Sequence, residues 1–223
     1  MNFKHPLILA SSSPRRQFLM REAGFQFNVA SPDIDESFPD TMAVEDIPQY
    51  LAKKKARVFE TRISGEVVVT SDTVVILDKE VMNKPRDRDD AIDMLTRLSA
   101  RTHLVITAVC IMSQNKMDCF DDRTLVTFRK LIANEIKYYI DTFRPYDKAG
   151  AYGAQECLPA GFNPCSPEEI NFLQQIGKQD LVERSAGSVA AGSGNAIIEK
   201  IDGSYFTVMG LPLHLVFNRL NSF

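Results

Sequence analysis

Two patches of this sequence carry side chains that belong together chemically. The first is Ser11-Ser12-Ser13-Pro14-Arg15-Arg16, directly after the apolar run Leu7-Ile8-Leu9-Ala10. The run predicts a buried strand and the serines a turn, with Ser13 as N-cap and Pro14 at the first helical position. The helix that follows turns Phe18, Leu19 and Ala23 inward and stops at Gly24. Arg15 and Arg16 then sit in its first turn, where the macrodipole is already positive and each cation costs about 0.3–1 kcal/mol. An arriving anion resolves that conflict. Free backbone N–H groups, the hydroxyls of Ser11 and Ser13 and two guanidinium groups would converge on phosphate. On this reading, removing either arginine leaves the free protein no less stable. The alternative is a surface helix with two solvated arginines.

The second patch is Ser71-Asp72-Thr73, set between Val67-Val68-Val69-Thr70 and Val74-Val75-Ile76-Leu77. Aspartate is disfavoured in strands, and a carboxylate among valines is costly unless it is paired or bound to metal. The strand is expected to end or bulge there, presenting Asp72 at a sheet edge as metal ligand or general base. A turn aspartate capping its own backbone is the alternative. Lys53, Lys54, Lys55 and Lys84, and the acidic loop with Asp33, Asp35 and Glu36, would pass for solvated surface alone. Yet Mg²⁺ typically takes one or two carboxylates plus substrate phosphates. Asp147-Lys148-Ala149-Gly150-Ala151-Tyr152-Gly153-Ala154-Gln155 allows close backbone approach, and Gln155 offers a paired donor and acceptor for a base edge. His5, His103 and His214 show no ligand spacing and receive no catalytic role. Together the pieces predict a nucleotide-hydrolysing site without the GxxxxGK[ST] loop or the kinase signatures.

The elements that must position these groups alternate between strand and helix, which predicts an α/β fold. Further strands are expected at 27–30, 66–77 with a turn into 80–82, 103–112 and 119–128. Helices are expected from Pro48 to Phe59, at 89–98, 134–142 and 167–176, and after Pro212. Residues 196–201 and 205–209 read as a hairpin around Asp202-Gly203. The 223 residues, 44% hydrophobic and 25% charged, suit a soluble globular protein, and the net charge of −3 argues against nucleic acid as an obligatory partner. Cys110, Cys119, Cys157 and Cys165 show no CxxC or zinc spacing, so a reduced, cytoplasmic setting is expected. No signal peptide or membrane span is visible.

The blocks around Ser11–Arg16, Ser71–Val75, Lys84-Pro85 and Asp147–Gln155, with Gly210-Leu211-Pro212-Leu213, occur in an order that resembles the Maf family of nucleoside triphosphate pyrophosphatases. The double arginine and the Tyr152-Gly153-Ala154-Gln155 form are similar to the type that prefers dTTP and UTP. The resemblance implies an elongated mixed sheet with flanking helices and a central cleft, like the inosine triphosphate pyrophosphatase fold, in a homodimer. It implies Asp72 as proton acceptor, Arg15, Thr73 and Gln155 as specificity residues, and Ser13, Arg16, Lys55 and Lys84 on the phosphates. Glu36 with Asp72 would hold Mg²⁺ or Mn²⁺. A runner-up is hydrolysis of modified nucleotides; the rival is a nucleotide-sensing regulator of septum formation with little catalysis. Two departures stand out. Glu156 replaces the usual glycine after the glutamine, and residues 156–195 are interposed within a single domain spanning 1–223. That segment is expected to be a lid or dimer contact whose excision spares hydrolysis.

Overall fold

The computed structural model describes residues 3–159, 161–186 and 196–223. Its strands are β1 (Leu7–Ala10), β2 (Phe27–Ala30), β3 (Val67–Leu77), β4 (Glu80–Val81), β5 (Thr102–Met112), β6 (Met117–Phe128) and β7 (Ile198–Asp202). Its helices are α1 (Pro14–Glu22), α2 (Ile47–Arg57), α3 (Arg88–Leu98), α4 (Ala133–Phe143), α5 (Ala154–Cys157), α6 (Pro167–Gln175), α7 (Leu181–Ala186), α8 (Tyr205–Val208) and α9 (Leu213–Leu220). The sheet runs β2-β1-β3-β5-β6-β7, with β4 also on β3. The β1 pairings are parallel and the rest antiparallel, so the sheet is mixed, with helices on both faces.

β3 carries the design. It is buried along both faces, which its run of valines anticipates. Val67, Val69, Val75 and Leu77 enter the larger core with α1, α3, α4, α6 and α9, while Val68, Val74 and Ile76 face α2. Contrary to expectation, β3 neither ends nor bulges at Asp72, which pairs in register with Ala108. Its neighbours end instead. On the edge away from β5, β1 pairs only with Val67 to Val69 and β4 only with Ile76 and Leu77. Among the described residues, the intervening edge of β3 lacks a strand partner, and that gap is where a ligand can reach Asp72.

The expected hairpin is replaced. β7 pairs with β6, and Tyr205–Val208 is helical. Ser204 caps that helix by accepting from Thr207 N, and Glu169 accepts from the Tyr205 and Phe206 amides, so no ladder can use those donors.

Residues 156–195 also depart from the lid expectation as far as they are described. Cys157, Leu158, Phe172, Leu173 and Leu181 are buried in the larger core, and Phe172 packs on Phe217 of α9. None of the described residues 156–186 lines the cleft. Residues 187–195 of that expectation lie outside the described residues. The expectation of reduced cysteines fails at one pair. The β5–β6 register sets Cys110 opposite Cys119, and a disulfide joins them across a separation of 9 that carries no recognisable motif. Cys157 and Cys165 are free. No helix among the described residues is long and apolar enough to cross a membrane.

His103 is a core residue, 2% exposed and set edge-on to Phe128 and Tyr152. It shares a 2.8 Å hydrogen bond with the Tyr152 hydroxyl, and its Nδ1 has no partner among the described residues. Burial pulls its pKa from 6.5 down to about 3. Between those values the unfolded chain binds a proton that the folded one refuses. The contribution of His103 to stability is therefore full above pH 6.5 and falls toward pH 3 by about 1.4 kcal/mol per unit. In denaturant unfolding, the loss between pH 6.5 and pH 5 should shrink by about 1.5 kcal/mol in His103→Gln, because glutamine does not titrate. An unchanged pH slope would place the proton uptake elsewhere.

Candidate active site

The gap on β3 opens into a cleft of about 570 Å³. Ser11, Ser13, Arg15, Arg16, Glu36, Lys55, Asp72, Thr73 and Lys84 all line it, nine of the ten expected site residues. Only Gln155 stands apart. It sits on α5, outside the lining residues, with its Oε1 enclosed and without a partner among the described residues. Four cations (Arg15, Arg16, Lys55, Lys84) face three carboxylates (Glu36, Asp72, Asp147) across the cleft. A basic excess in an acidic chain suits a polyanionic ligand.

Strand alternation divides the work. Asp72 points to the α2 face, where Lys55 of α2 donates to its Oδ1 at 2.6 Å. The same ammonium lies 2.7 Å from Glu36 Oε1, so it joins both carboxylates. Burial raises the Asp72 pKa against the opposing pull of Lys55 and Arg16, which makes it a stronger base than an ordinary aspartate. Burial would raise Glu36 too, but contact with Lys55, helped by Lys84 and Arg16, holds it below its usual value.

On the other face, Arg16 is not the free phosphate ligand that the sequence suggested. Its Nε donates to Gly210 O at 2.8 Å, Nη1 to Ser71 O at 2.8 Å and Nη2 to Thr73 Oγ1 at 2.9 Å. Burial lowers its pKa, with Asp72 opposing. Gly210 has φ +98°, and a Cβ there would stand 3.3 Å from Arg16 Nε and from Thr73 Oγ1. Only glycine lets the carbonyl approach this closely. Arg15, next in sequence, has among the described residues a single ion-pair contact, 3.6 Å from Asp147. The expectation that both arginines are dispensable to the free protein is thus corrected for Arg16, whose partners come from β3 and the Gly210 turn. Arg16→Ala should cost about 3 kcal/mol by stranding buried acceptors, lowering the nucleotide-free Tm by roughly 6–12 °C. Arg15→Ala should shift it by no more than about 2 °C. Equal melts for the two variants would return Arg16 to the phosphate role.

At the N-terminus of α1 the Ser13 amide donates to Ser11 Oγ at 3.2 Å, and no side chain among the described residues caps the amides of Arg15 and Arg16. Ser13 occupies the N-cap position but makes no side-chain cap, and no acid stands in the first turn. Glu156, the departure after Gln155, turns back toward its own loop. Its Oε2 accepts from the Tyr139 hydroxyl, which itself accepts from Gly153 N. A Cβ on Gly153 would collide with that carboxylate at 2.0 Å. Sequence reasoning missed the carbonyl of Gly210, the hydroxyl of Ser71 that donates to it at 3.0 Å, and Thr107, which contacts Thr73 at 2.9 Å. The Gly210-Leu211-Pro212-Leu213 block was the available signal for the first.

A divalent ion fits this donor set. No group of three or more metal-binding side chains exists among the described residues. The chain thus offers Asp72 and Glu36, and Mg²⁺ or Mn²⁺ would complete its oxygen shell from phosphates and water. In the free protein the Lys55 ammonium lies between the two carboxylates.

A family model described as Maf-like protein matches residues 6–163 and 159–223. Relatives named dTTP/UTP pyrophosphatase align with most of the chain. One from Porphyromonas gingivalis is 36% identical over 224 residues, covering 99% of this chain and 95% of its own. One from Phocaeicola vulgatus is 39% identical over 219 residues, 97% and 95%. One from Flavobacterium psychrophilum is 48% identical over 153 residues, 68% and 78%. Among solved structures, a nucleoside-triphosphatase / dITP/XTP pyrophosphatase from Mycobacterium abscessus gives a TM-score of 0.36 at 14% identity, covering 56% of this chain and 75% of that one.

Proposed function

This chain belongs to the Maf-like protein family, and from that premise we propose that it is a nucleoside triphosphate pyrophosphatase. It hydrolyses dTTP and UTP between the α- and β-phosphates, releasing the nucleoside monophosphate and pyrophosphate. The observation that carries this reading is the buried Asp72 carboxylate, held by Lys55 at 2.6 Å beside the unpaired edge of β3. A protein that merely senses nucleotide needs no base there.

The triphosphate lies along the first turn of α1, where free N–H groups, Ser11, Ser13 and Arg15 meet its charge, with Lys55 and Lys84 opposite. Asp72 takes the proton of the attacking water, a role its raised pKa favours. Arg16 orients rather than binds: it fixes Ser71 and Thr73 on either side of Asp72. Glu36 and Asp72 would hold a divalent ion, which would supply neutralisation of the developing phosphate charge. The base lies toward Tyr152 and Gly153, close in sequence to Gln155. A pyrophosphate-release screen over natural and modified triphosphates, with Mg²⁺ and with Mn²⁺, tests the reading. Fastest turnover on dTTP and UTP is expected; release from none of them would overturn it.

A further inference from the structure

We propose that Glu169, on α6 of the interposed segment, is a positioning residue for this cleft, because it fixes the turn whose Gly210 carbonyl anchors Arg16 and whose Thr207 carbonyl anchors the Thr107–Thr73 pair beside it. Glu169 is 0% exposed. Its Oε1 accepts from Ser204 Oγ at 2.6 Å and Phe206 N at 2.8 Å, and its Oε2 from Ser166 N at 2.9 Å and Tyr205 N at 3.0 Å. One carboxylate thus closes the capping box of α6 and satisfies the first amides of α8. A carboxamide could not replace it, since its NH₂ would face donors.

From α8 two routes lead to Arg16. Thr107 Oγ1 gives its single proton to Thr207 O at 2.7 Å. Thr73 must then donate to Thr107, and Arg16 Nη2 to Thr73. That chain runs in one direction and ends on α8. The second route is shorter. Gly210 N donates to Thr207 O at 3.0 Å, and Gly210 O accepts from Arg16 Nε. Arg16 in turn holds the Ser71 carbonyl beside Asp72. Small displacements of such a support are costly in rate, because catalysis needs the reacting groups within about 0.5 Å of their productive positions.

The test combines kinetics with the free protein's own hydrogen exchange; only the kinetic arm rests on the pyrophosphatase reading. In ¹⁵N-labelled protein the Arg16 Nε–H resonance, assigned by its loss in Arg16→Lys, should exchange at least tenfold faster in Glu169→Gln. At a temperature where both proteins are folded by circular dichroism, Glu169→Gln should lower kcat/KM for dTTP at least tenfold. Added to Arg16→Lys it should cost less than twofold. Glu169→Asp, which keeps the charge, should recover part of the loss. Should Glu169→Gln fail to fold, Ser204→Ala removes one donor and should give a smaller loss, about threefold, coupled to Arg16 in the same way. Unchanged exchange and kcat/KM in a folded variant would overturn the proposal, as would a full multiplicative loss in the Arg16→Lys background. A wild-type protein that releases no pyrophosphate would sink the activity instead, and the exchange rates alone would then decide the linkage.

Discussion

Asp72→Asn should lower hydrolysis by about 10²–10⁴-fold, the usual worth of a positioned general base, while nucleotide binding stays within a few-fold. Asparagine keeps the shape, and its Oδ1 can still accept from Lys55, whose ammonium retains Glu36 at 2.7 Å. The fold has no reason to yield. What is lost is the capacity to take a proton, together with one anionic ligand for a divalent ion. Single-turnover pyrophosphate release measures the first effect. Calorimetry with a non-hydrolysable αβ-methylene triphosphate, without metal, measures binding. A variant with near-normal turnover would remove Asp72 from the chemistry and revive the reading of a nucleotide sensor. The prediction separates Asp72 from Arg16, whose replacement by alanine is expected to lower the stability of the free protein.

Much of the site was legible because its residue types conflict with their local surroundings. Arginines in the positive first turn of a helix and an aspartate within a valine-rich strand both violate local preference, and both line the cleft. The strand and helix order followed from periodicity, since β3 and β5 are long and apolar and β6 is long with buried residues alternating toward its end. What escaped depends on partners distant in sequence. Arg16 reads as a phosphate ligand until Ser71, Thr73 and Gly210 arrive 55, 57 and 194 residues away. The Asp202-Gly203 hairpin signal is genuine locally, yet Glu169 takes the amides that a second strand would need. The expected break in β3 was likewise a statement about one strand, whereas the opening comes from where β1 and β4 stop.

The same lesson reverses the expectation for the interposed segment. Glycines and prolines in 156–195 suggested an irregular lid, but α6 starts with Ser166 and Glu169 in a capping box and buries Phe172 and Leu173. Replacing residues 158–186 by a short Gly-Ser link should therefore abolish cooperative folding, not merely alter affinity. It removes Leu158, Phe172, Leu173 and Leu181 from the main core and leaves the Tyr205 and Phe206 amides without their acceptor. Phe172→Ala alone should cost about 3–5 kcal/mol, the range for a buried phenylalanine that leaves a cavity. Its ring is 5% exposed and 5.5 Å from that of Phe217. Urea unfolding followed by circular dichroism gives the number for Phe172→Ala, and near-ultraviolet dichroism reports whether the excised protein packs. An excised protein with a sharp unfolding transition and intact hydrolysis would show that the segment is dispensable, and would restore the lid.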